Sequence, residues 1–410
     1  MRAMSARRVV SLLAVAVALT GATLITVPYA RGLSFVIRAA DLHGTPRRLA
    51  DVDTRPVHER ELAIPTPRGS LRARVYTPDG DGRRVALVVS GLHVAGIDEP
   101  RLIRLSRELA ESGVVVVTPD IPALSRFEIA PEITDDIEHA AVWLATESGM
   151  AVDKRIGMMG ISFSGGLSIV AAGRPSLTDR VAYVFSLGGH ADLPRVLRYL
   201  CTGTEPMPPG RVRLRPDATV TSGPGGPPLD QPFIRPPHDY GVAVMLLGLA
   251  DRLVPAAQVE PLRAAIRRYL NASALDSNVD KTQAAHEFDA LRQTAKTMRE
   301  PSATLLRYVN ERDVVHLGAR LLPLIGTYAG NPALSPSRSP KPSAPVFLLH
   351  GIEDNVIPSI ESEYLADQLR PHAPVRLLLS GLISHAEADQ PIRMNDVVKL
   401  ASFWGDLLSR

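Results

Sequence analysis

Cysteine is almost absent from this sequence of 410 residues, in which Cys201 is the single one. One cysteine excludes an intrachain disulfide framework and any zinc site that needs several cysteine ligands. A large excess of one charge is also absent, because 46 Lys and Arg face 43 Asp and Glu, a formal net charge of +3. The pI near 9.1 therefore reflects a small excess, and nothing favours a nucleic-acid partner.

Charged residues are missing altogether from residues 9–30, and three arginines within the first eight residues precede this run. A basic start followed by an apolar stretch is typical of an export signal. We expect residues 1–30 to be either a signal peptide cut after the small residues 20–22 or a retained membrane anchor, since about 20 apolar residues cross a bilayer. The protein is then anchored to the membrane, or secreted or periplasmic if the segment is cleaved.

The rest of the chain is globular in composition, with 45% hydrophobic and 22% charged residues. Residues 31–60 are polar, show no clear period and are interpreted as a connector. After them, short runs rich in β-branched residues alternate with helical patterns, which predicts a doubly wound, mostly parallel α/β sheet. The predicted strands are 61–65 and 70–77, forming a hairpin, then 85–90, 114–117, 155–160, 181–187, 346–350 and 375–379.

The alternation stops over residues 189–343, which begin with a proline-rich stretch and contain no convincing strand pair. Their later part has helical periodicity, so we interpret them as a mainly helical cap inserted between strands 6 and 7. The sheet domain then consists of residues 61–188 and 344–410.

The sharpest local motif is Gly160-Ile161-Ser162-Phe163-Ser164, which follows a predicted strand and precedes a helical run. It resembles the nucleophile elbow of the α/β-hydrolases, where a serine sits on a tight turn from strand to helix. Ser164 stands where a second glycine is usual, and it is itself a candidate nucleophile, although Ser162 fits the register better. The alternative is that Ser162 is only a helix cap.

Two later segments resemble the remaining parts of an α/β-hydrolase site. Asp354 follows the predicted strand 346–350 and precedes an apolar-proline pair, which matches the family's acid; Glu353 is one residue off that pattern. His385 follows the predicted strand 375–379, in the loop where the family places its base. The order Ser, Asp, His is that of this fold.

Several other residues imitate parts of this pattern. Asp251 repeats the carboxylate-to-proline pattern, but it lies in a predicted cap helix with no suitable histidine after it. We interpret His93, His190, His286 and His350 as structural or solvated residues.

The resemblance implies a carboxylic ester hydrolase whose oxyanion donors are the backbone N–H groups of Phe163 and Leu92, with a catalytic triad of Ser162, Asp354 and His385. It implies no metal and no organic cofactor. The segment 156–166 is similar to dienelactone-hydrolase-like members, which commonly use cysteine, so lactone hydrolysis does not follow. Two alternatives stay open, namely a peptidase of the same fold and a non-catalytic binding protein that keeps the fold.

Overall fold

The computed structural model describes residues 26–80, 84–205, 233–276, 280–383 and 394–410. Ten strands lie in these ranges, and their bounds are β1 Val57–Thr66, β2 Gly69–Pro78, β3 Arg84–Val89, β4 Val114–Pro119, β5 Ile156–Ile161, β6 Val181–Leu187, β7 Thr204–Glu205, β8 Phe233–Ile234, β9 Val346–Gly351 and β10 Val375–Ser380. The described α-helices are α1 (residues 26–39), α2 Thr45–Ala50, α3 Pro100–Glu111, α4 Pro122–Ser125, α5 Glu132–Thr146, α6 Phe163–Ala172, α7 Leu193–Thr202, α8 Asp239–Leu253, α9 Ala256–Asp276, α10 Lys281–Thr297, α11 Ser302–Asn310, α12 Val314–Leu321, α13 Ile325–Tyr328, α14 Ile360–Leu369 and α15 Met394–Leu407.

Eight of the strands form one sheet in the order β1-β2-β4-β3-β5-β6-β9-β10. β1 and β2 form the predicted hairpin, β2 is antiparallel to β4, and every other neighbouring pair is parallel. The predicted doubly wound, mostly parallel sheet is therefore confirmed.

Successive residues of the central strands point into two separate cores, as the period of two in a strand requires. In β4, Val115 and Val117 pack into the core that also holds α5, α6 and α14. Val114 and Val116 pack into the opposite core, with α3 and α15. A strand buried on both faces needs apolar residues at every position, which explains its four consecutive valines.

The seven helices α7–α13 lie between β6 and β9, the sixth and seventh strands of the sheet in chain order. The expectation that this part contains no strand pair was wrong, because β7 and β8 form an antiparallel pair inside it. Each of these strands is two residues long, too short to leave a periodic pattern in the sequence.

Residues 31–60 are not a simple connector, since they hold most of α1, all of α2 and the start of β1. The ring of Phe35 is fully buried, 4.3 Å from the ring of Trp404 in α15. At Gly32, a Cβ would lie 2.5 Å from the backbone nitrogen of Gly405. The N-terminal helix thus packs backbone to backbone against the C-terminal helix.

A buried ion pair fixes the other end of α1. Arg38 is 2% exposed, and its Nε donates to Oε2 of Glu108 in α3 at 2.7 Å. Its Nη2 donates to the hydroxyl of Ser112 at 2.7 Å. The sequence of α1 lacks the hydrophobic period of a buried helix because a glycine and an arginine occupy its buried face.

Among the described residues, no helix combines the length and the apolar character that a membrane span requires. The charge-free run 9–30 lies outside the described residues except for its last five positions, which belong to α1.

Candidate active site

Three loops of interest leave the sheet at the same edge, because the carboxyl ends of parallel strands meet there. Leu92 follows β3, Ser162 follows β5 and Asp354 follows β9. β3 and β5 are neighbours, and β6 alone separates β5 from β9, which sets the strands of Ser162 and Asp354 about 10 Å apart at the usual strand spacing.

Ser162 occupies the single residue between β5 and α6, with φ 57° and ψ −127°. An L-residue rarely adopts this conformation, which glycine favours, and holding it costs about 1–3 kcal/mol. The turn also needs a glycine before it, since a Cβ on Gly160 would lie 2.3 Å from the carbonyl oxygen of Ser164. The surrounding structure thus forces a half-buried serine onto the tip of a strained strand-to-helix turn.

A strained serine at the end of the central strand β5, in a sheet of this strand order, is the arrangement that the motifs predicted. The chain has the α/β-hydrolase fold. Between β6 and β9, the strand that Asp354 follows, the chain forms α7–α13.

Several solved structures are similar to this chain. An esterase from Pyrobaculum calidifontis is 18% identical, with 94% of this chain and 92% of that chain covered and a TM-score of 0.42. A thermostable esterase from Pseudomonas putida is 13% identical (91% and 86% covered, TM-score 0.45), and a putative dienelactone hydrolase from Klebsiella pneumoniae is 14% identical (86% and 98% covered, TM-score 0.39). No family model matches the sequence, and no curated protein matches it.

The hydroxyl of Ser164 is buried and makes hydrogen bonds that serve the fold. Ser164 is fully buried, its hydroxyl lies 3.0 Å from the carbonyl of Val89 and 2.9 Å from that of Ile161, and it accepts from the Ile161 N–H at 3.0 Å. The hydroxyl therefore links β3 to the end of β5. These contacts favour Ser162 over Ser164 as the candidate nucleophile.

Phe163 and the loop that carries Leu92, the two expected oxyanion donors, adjoin Ser162. Phe163 is the first residue of α6, where backbone N–H groups have no partner within the helix, and the partial positive charge of the helix is strongest. A Cβ on Gly91 would lie 3.4 Å from the Cβ of Ser162, so the loop that carries Leu92 touches the serine. Within the ranges that the structure covers, neither the Phe163 nor the Leu92 N–H has an acceptor.

Asp354 is 1% exposed, and hydrogen bonds hold its carboxylate in place. Its Oδ1 accepts from the backbone N–H groups of Val356 and Ile357 at 2.9 and 3.0 Å. Its Oδ2 lies 3.2 Å from Nε2 of His350. Backbone donors of this kind stabilise the ionised carboxylate and hold it in one orientation.

His350 is a contact of the acid to which sequence analysis gave no role beyond packing. Its Nε2 lies 2.8 Å from the carbonyl of Ile357, and its Nδ1 lies 2.6 Å from the hydroxyl of Ser362. Because a carbonyl only accepts, Nε2 donates to it, and the Ser362 hydroxyl is the partner of Nδ1. Both nitrogens of this buried ring are therefore in use, which leaves His350 a structural residue beside Asp354.

The remaining site prediction, His385, lies outside the described residues, and the preceding described range ends at Ile383, three residues after β10.

Of the other histidines weighed above, His286 is exposed on α10. His190 is fully buried, stacks on the Phe163 ring at 5.5 Å and donates to the carbonyl of Leu334, and burial lowers its pKa. Burial also lowers the pKa of His93.

Two further residues noted in the sequence, Asp251 and Cys201, lie in helices α8 and α7. Asp251 is half exposed near the end of α8 and pairs with Arg263 at 3.0 Å, as its interpretation as a helix residue expects. Cys201 is buried in α7, and burial raises the pKa of Cys201 to about 12, which keeps the thiol protonated and unreactive. Across the described ranges, no group of three or more His, Cys, Asp and Glu residues could hold a metal ion.

Proposed function

We propose that this protein is a serine hydrolase that cleaves carboxylic esters through an acyl-enzyme on Ser162. The observation that carries the proposal is the φ 57°, ψ −127° conformation of Ser162 at the end of β5. Strain of this size is kept where surrounding structure enforces it, and it lifts the hydroxyl out of the helix that follows. A helix cap needs no such conformation, since a capping residue usually has extended backbone angles.

In the proposed reaction, His385 takes the proton of the Ser162 hydroxyl while the oxygen attacks the ester carbonyl carbon. Asp354 stabilises the resulting imidazolium. The N–H groups of Phe163 and Leu92 bind the oxyanion of the tetrahedral intermediate, which expels the alcohol after His385 returns the proton to it. Water, activated by the same histidine, then attacks the acyl-enzyme and releases the acid.

The insertion α7–α13 is proposed as a cap that lines the acyl or alcohol pocket. It is joined to the sheet domain by a partly buried ion pair, in which Nη2 of Arg195 in α7 donates to Oε2 of Glu361 in α14 at 2.8 Å. Glu361 also accepts from the backbone N–H of Ala191 at 2.9 Å. These contacts hold the start of α7 against α14 and support the proposal.

The test is fluorophosphonate labelling of the purified full-length protein, followed by hydrolysis of a p-nitrophenyl ester series. Ser162→Ala is expected to abolish labelling and to lower ester turnover by about 10⁴-fold or more, and His385→Ala to lower it comparably, as in other serine hydrolases. Ser164→Ala is the matched control and should still label.

Each other outcome has a definite meaning. Labelling lost only in Ser164→Ala would refute the assignment of the nucleophile. A wild-type protein that does not label at all would favour the non-catalytic alternative. Turnover of peptide amides at rates similar to those of esters would favour the peptidase.

We propose that residues 1–30 export the protein, which is then anchored to the membrane or released after cleavage. The three arginines in the first eight residues and the charge-free run 9–30 that follows them support this localisation. The intact mass of the mature protein and its distribution between membrane and soluble fractions test it. Uncleaved protein found in the cytoplasm would contradict the proposal.

A further inference from the structure

One short segment of the insertion crosses the loops of the candidate site. It consists of residues 235–240, which we name the leading segment, and it precedes the body of α8. Nη1 of Arg235 donates to the carbonyl of Ile352 at 3.2 Å, and the backbone N–H of His238 donates to the carbonyl of Asn355 at 2.9 Å. The leading segment therefore holds the loop that carries the acid at two points.

Its last residue reaches the other loop. The hydroxyl of Tyr240 donates to the carbonyl of Leu92 at 2.7 Å. The ring is kept in place edge-on against Phe127, with centroids 5.9 Å apart, and against His238 at 6.4 Å. Because a carbonyl can only accept, Tyr240 is the donor, and burial raises its pKa far above the ordinary value, so the proton stays on.

This contact acts on the residue whose N–H is the second proposed oxyanion donor. Leu92 follows Gly91, and a glycine leaves the peptide between them free to rotate unless neighbouring groups hold it. The Tyr240 hydroxyl fixes the carbonyl on one side of Leu92. A fixed carbonyl restricts the backbone rotation of Leu92 and so the direction of its N–H, and electrostatic stabilisation depends on that direction.

We propose that Tyr240 is a positioning residue of the oxyanion hole: brought in by the insertion, it holds Leu92 so that the Leu92 N–H points at the reacting oxygen. This inference rests on the proposed esterase function. It also gives the insertion a role in the rate of the reaction, in addition to any role in choosing the substrate.

The test compares Tyr240→Phe with wild type in the full-length protein. Phenylalanine keeps the ring and its packing on Phe127 but loses the hydroxyl. Since deleting an oxyanion donor outright costs about 10²–10³ in kcat, we expect loss of its support to lower kcat by about tenfold with KM within about twofold. The same factor should appear for acetyl, butyryl and octanoyl esters, and as weaker binding of a boronic acid, whose tetrahedral adduct occupies the oxyanion hole.

Tyr269→Phe is the matched control, because the Tyr269 hydroxyl bonds to Asp239, inside the insertion and one residue from Tyr240. It should leave kcat within about twofold. If Tyr240→Phe does not fold, Phe127→Leu loosens the ring of Tyr240 while keeping its hydroxyl, and it should lower kcat in the same manner, by about threefold.

Three results would overturn the inference. They are an unchanged kcat in Tyr240→Phe, a loss that appears in KM and grows with acyl-chain length, and an equal loss in Tyr269→Phe. The second would make Tyr240 part of the substrate pocket, and the third would indicate general loosening of the insertion. Failure of the proposed function is separate, since it shows as a wild-type protein without labelling or turnover.

Discussion

The strain at Ser162 makes a prediction about stability that is independent of any substrate. Replacing Ser162 with alanine removes the hydroxyl but keeps a Cβ at φ 57°, ψ −127°. Replacing it with glycine removes the Cβ and with it the reason why the conformation is unfavourable. The two variants therefore differ mainly in whether the strain remains.

The expected difference follows from two opposing terms. Relief of the strain is worth about 1–3 kcal/mol of unfolding free energy. Glycine lowers the free energy of unfolding by about 0.4–1 kcal/mol relative to alanine, because it makes the unfolded chain more flexible. We expect Ser162→Gly to be more stable than Ser162→Ala by about 1 kcal/mol, a rise of about 0.3–0.5 M in the urea midpoint at an m-value of 2–3 kcal/mol/M.

Urea unfolding with equal m-values measures this difference. The control is the same pair of substitutions at Ser168, a buried residue in the middle of α6, where glycine should be worse than alanine by about 1 kcal/mol. Opposite signs at the two positions are expected. A Ser162→Gly variant that is less stable than Ser162→Ala would refute the idea that the turn stores strain.

Three further outcomes are expected. Ser164→Ala should lose about 1–3 kcal/mol of unfolding free energy while keeping fluorophosphonate labelling, since it leaves the Ile161 N–H without its acceptor. Arg38→Met should lose about 3 kcal/mol, because buried Glu108 loses its partner at 2.7 Å and keeps the partly exposed Arg47 at 3.3 Å. Arg38→Met with Glu108→Leu should recover much of that loss in the same unfolding assay. Burial lowers the pKa of His190, so His190 in the unfolded chain binds a proton at a higher pH than in the folded protein, starting near pH 6.5. The free energy of unfolding of wild type should therefore fall between pH 8 and pH 5.5, and that of His190→Gln should fall less over the same range.

The sheet was predictable because its signals are local. Strands such as β4 are buried on both faces and appear in the sequence as continuous β-branched runs. The predicted strand 181–187 agrees with β6 at both ends. The turn at Ser162 was also readable, because a tight strand-to-helix turn requires small residues at fixed offsets.

The features that sequence analysis missed depend on distant partners. α1 was interpreted as a connector because its buried face carries Gly32 and Arg38, whose partners lie in α15 and α3. The contact between Tyr240 and Leu92 joins residues 148 positions apart, and neither residue type predicts it. His350 was interpreted as structural or solvated, and its contact with Asp354 could not be inferred from spacing alone.

The close contact between Gly32 and Gly405 also has a consequence for the order of folding during synthesis. The surface against which α1 packs includes α15, which is made about 370 residues later in the chain. At roughly 5–20 residues per second, a ribosome takes about 20–70 s to cover that distance. Throughout that time Gly32 and Phe35 have no α15 to cover them, and so α1 docks onto α15 only after α15 has been made.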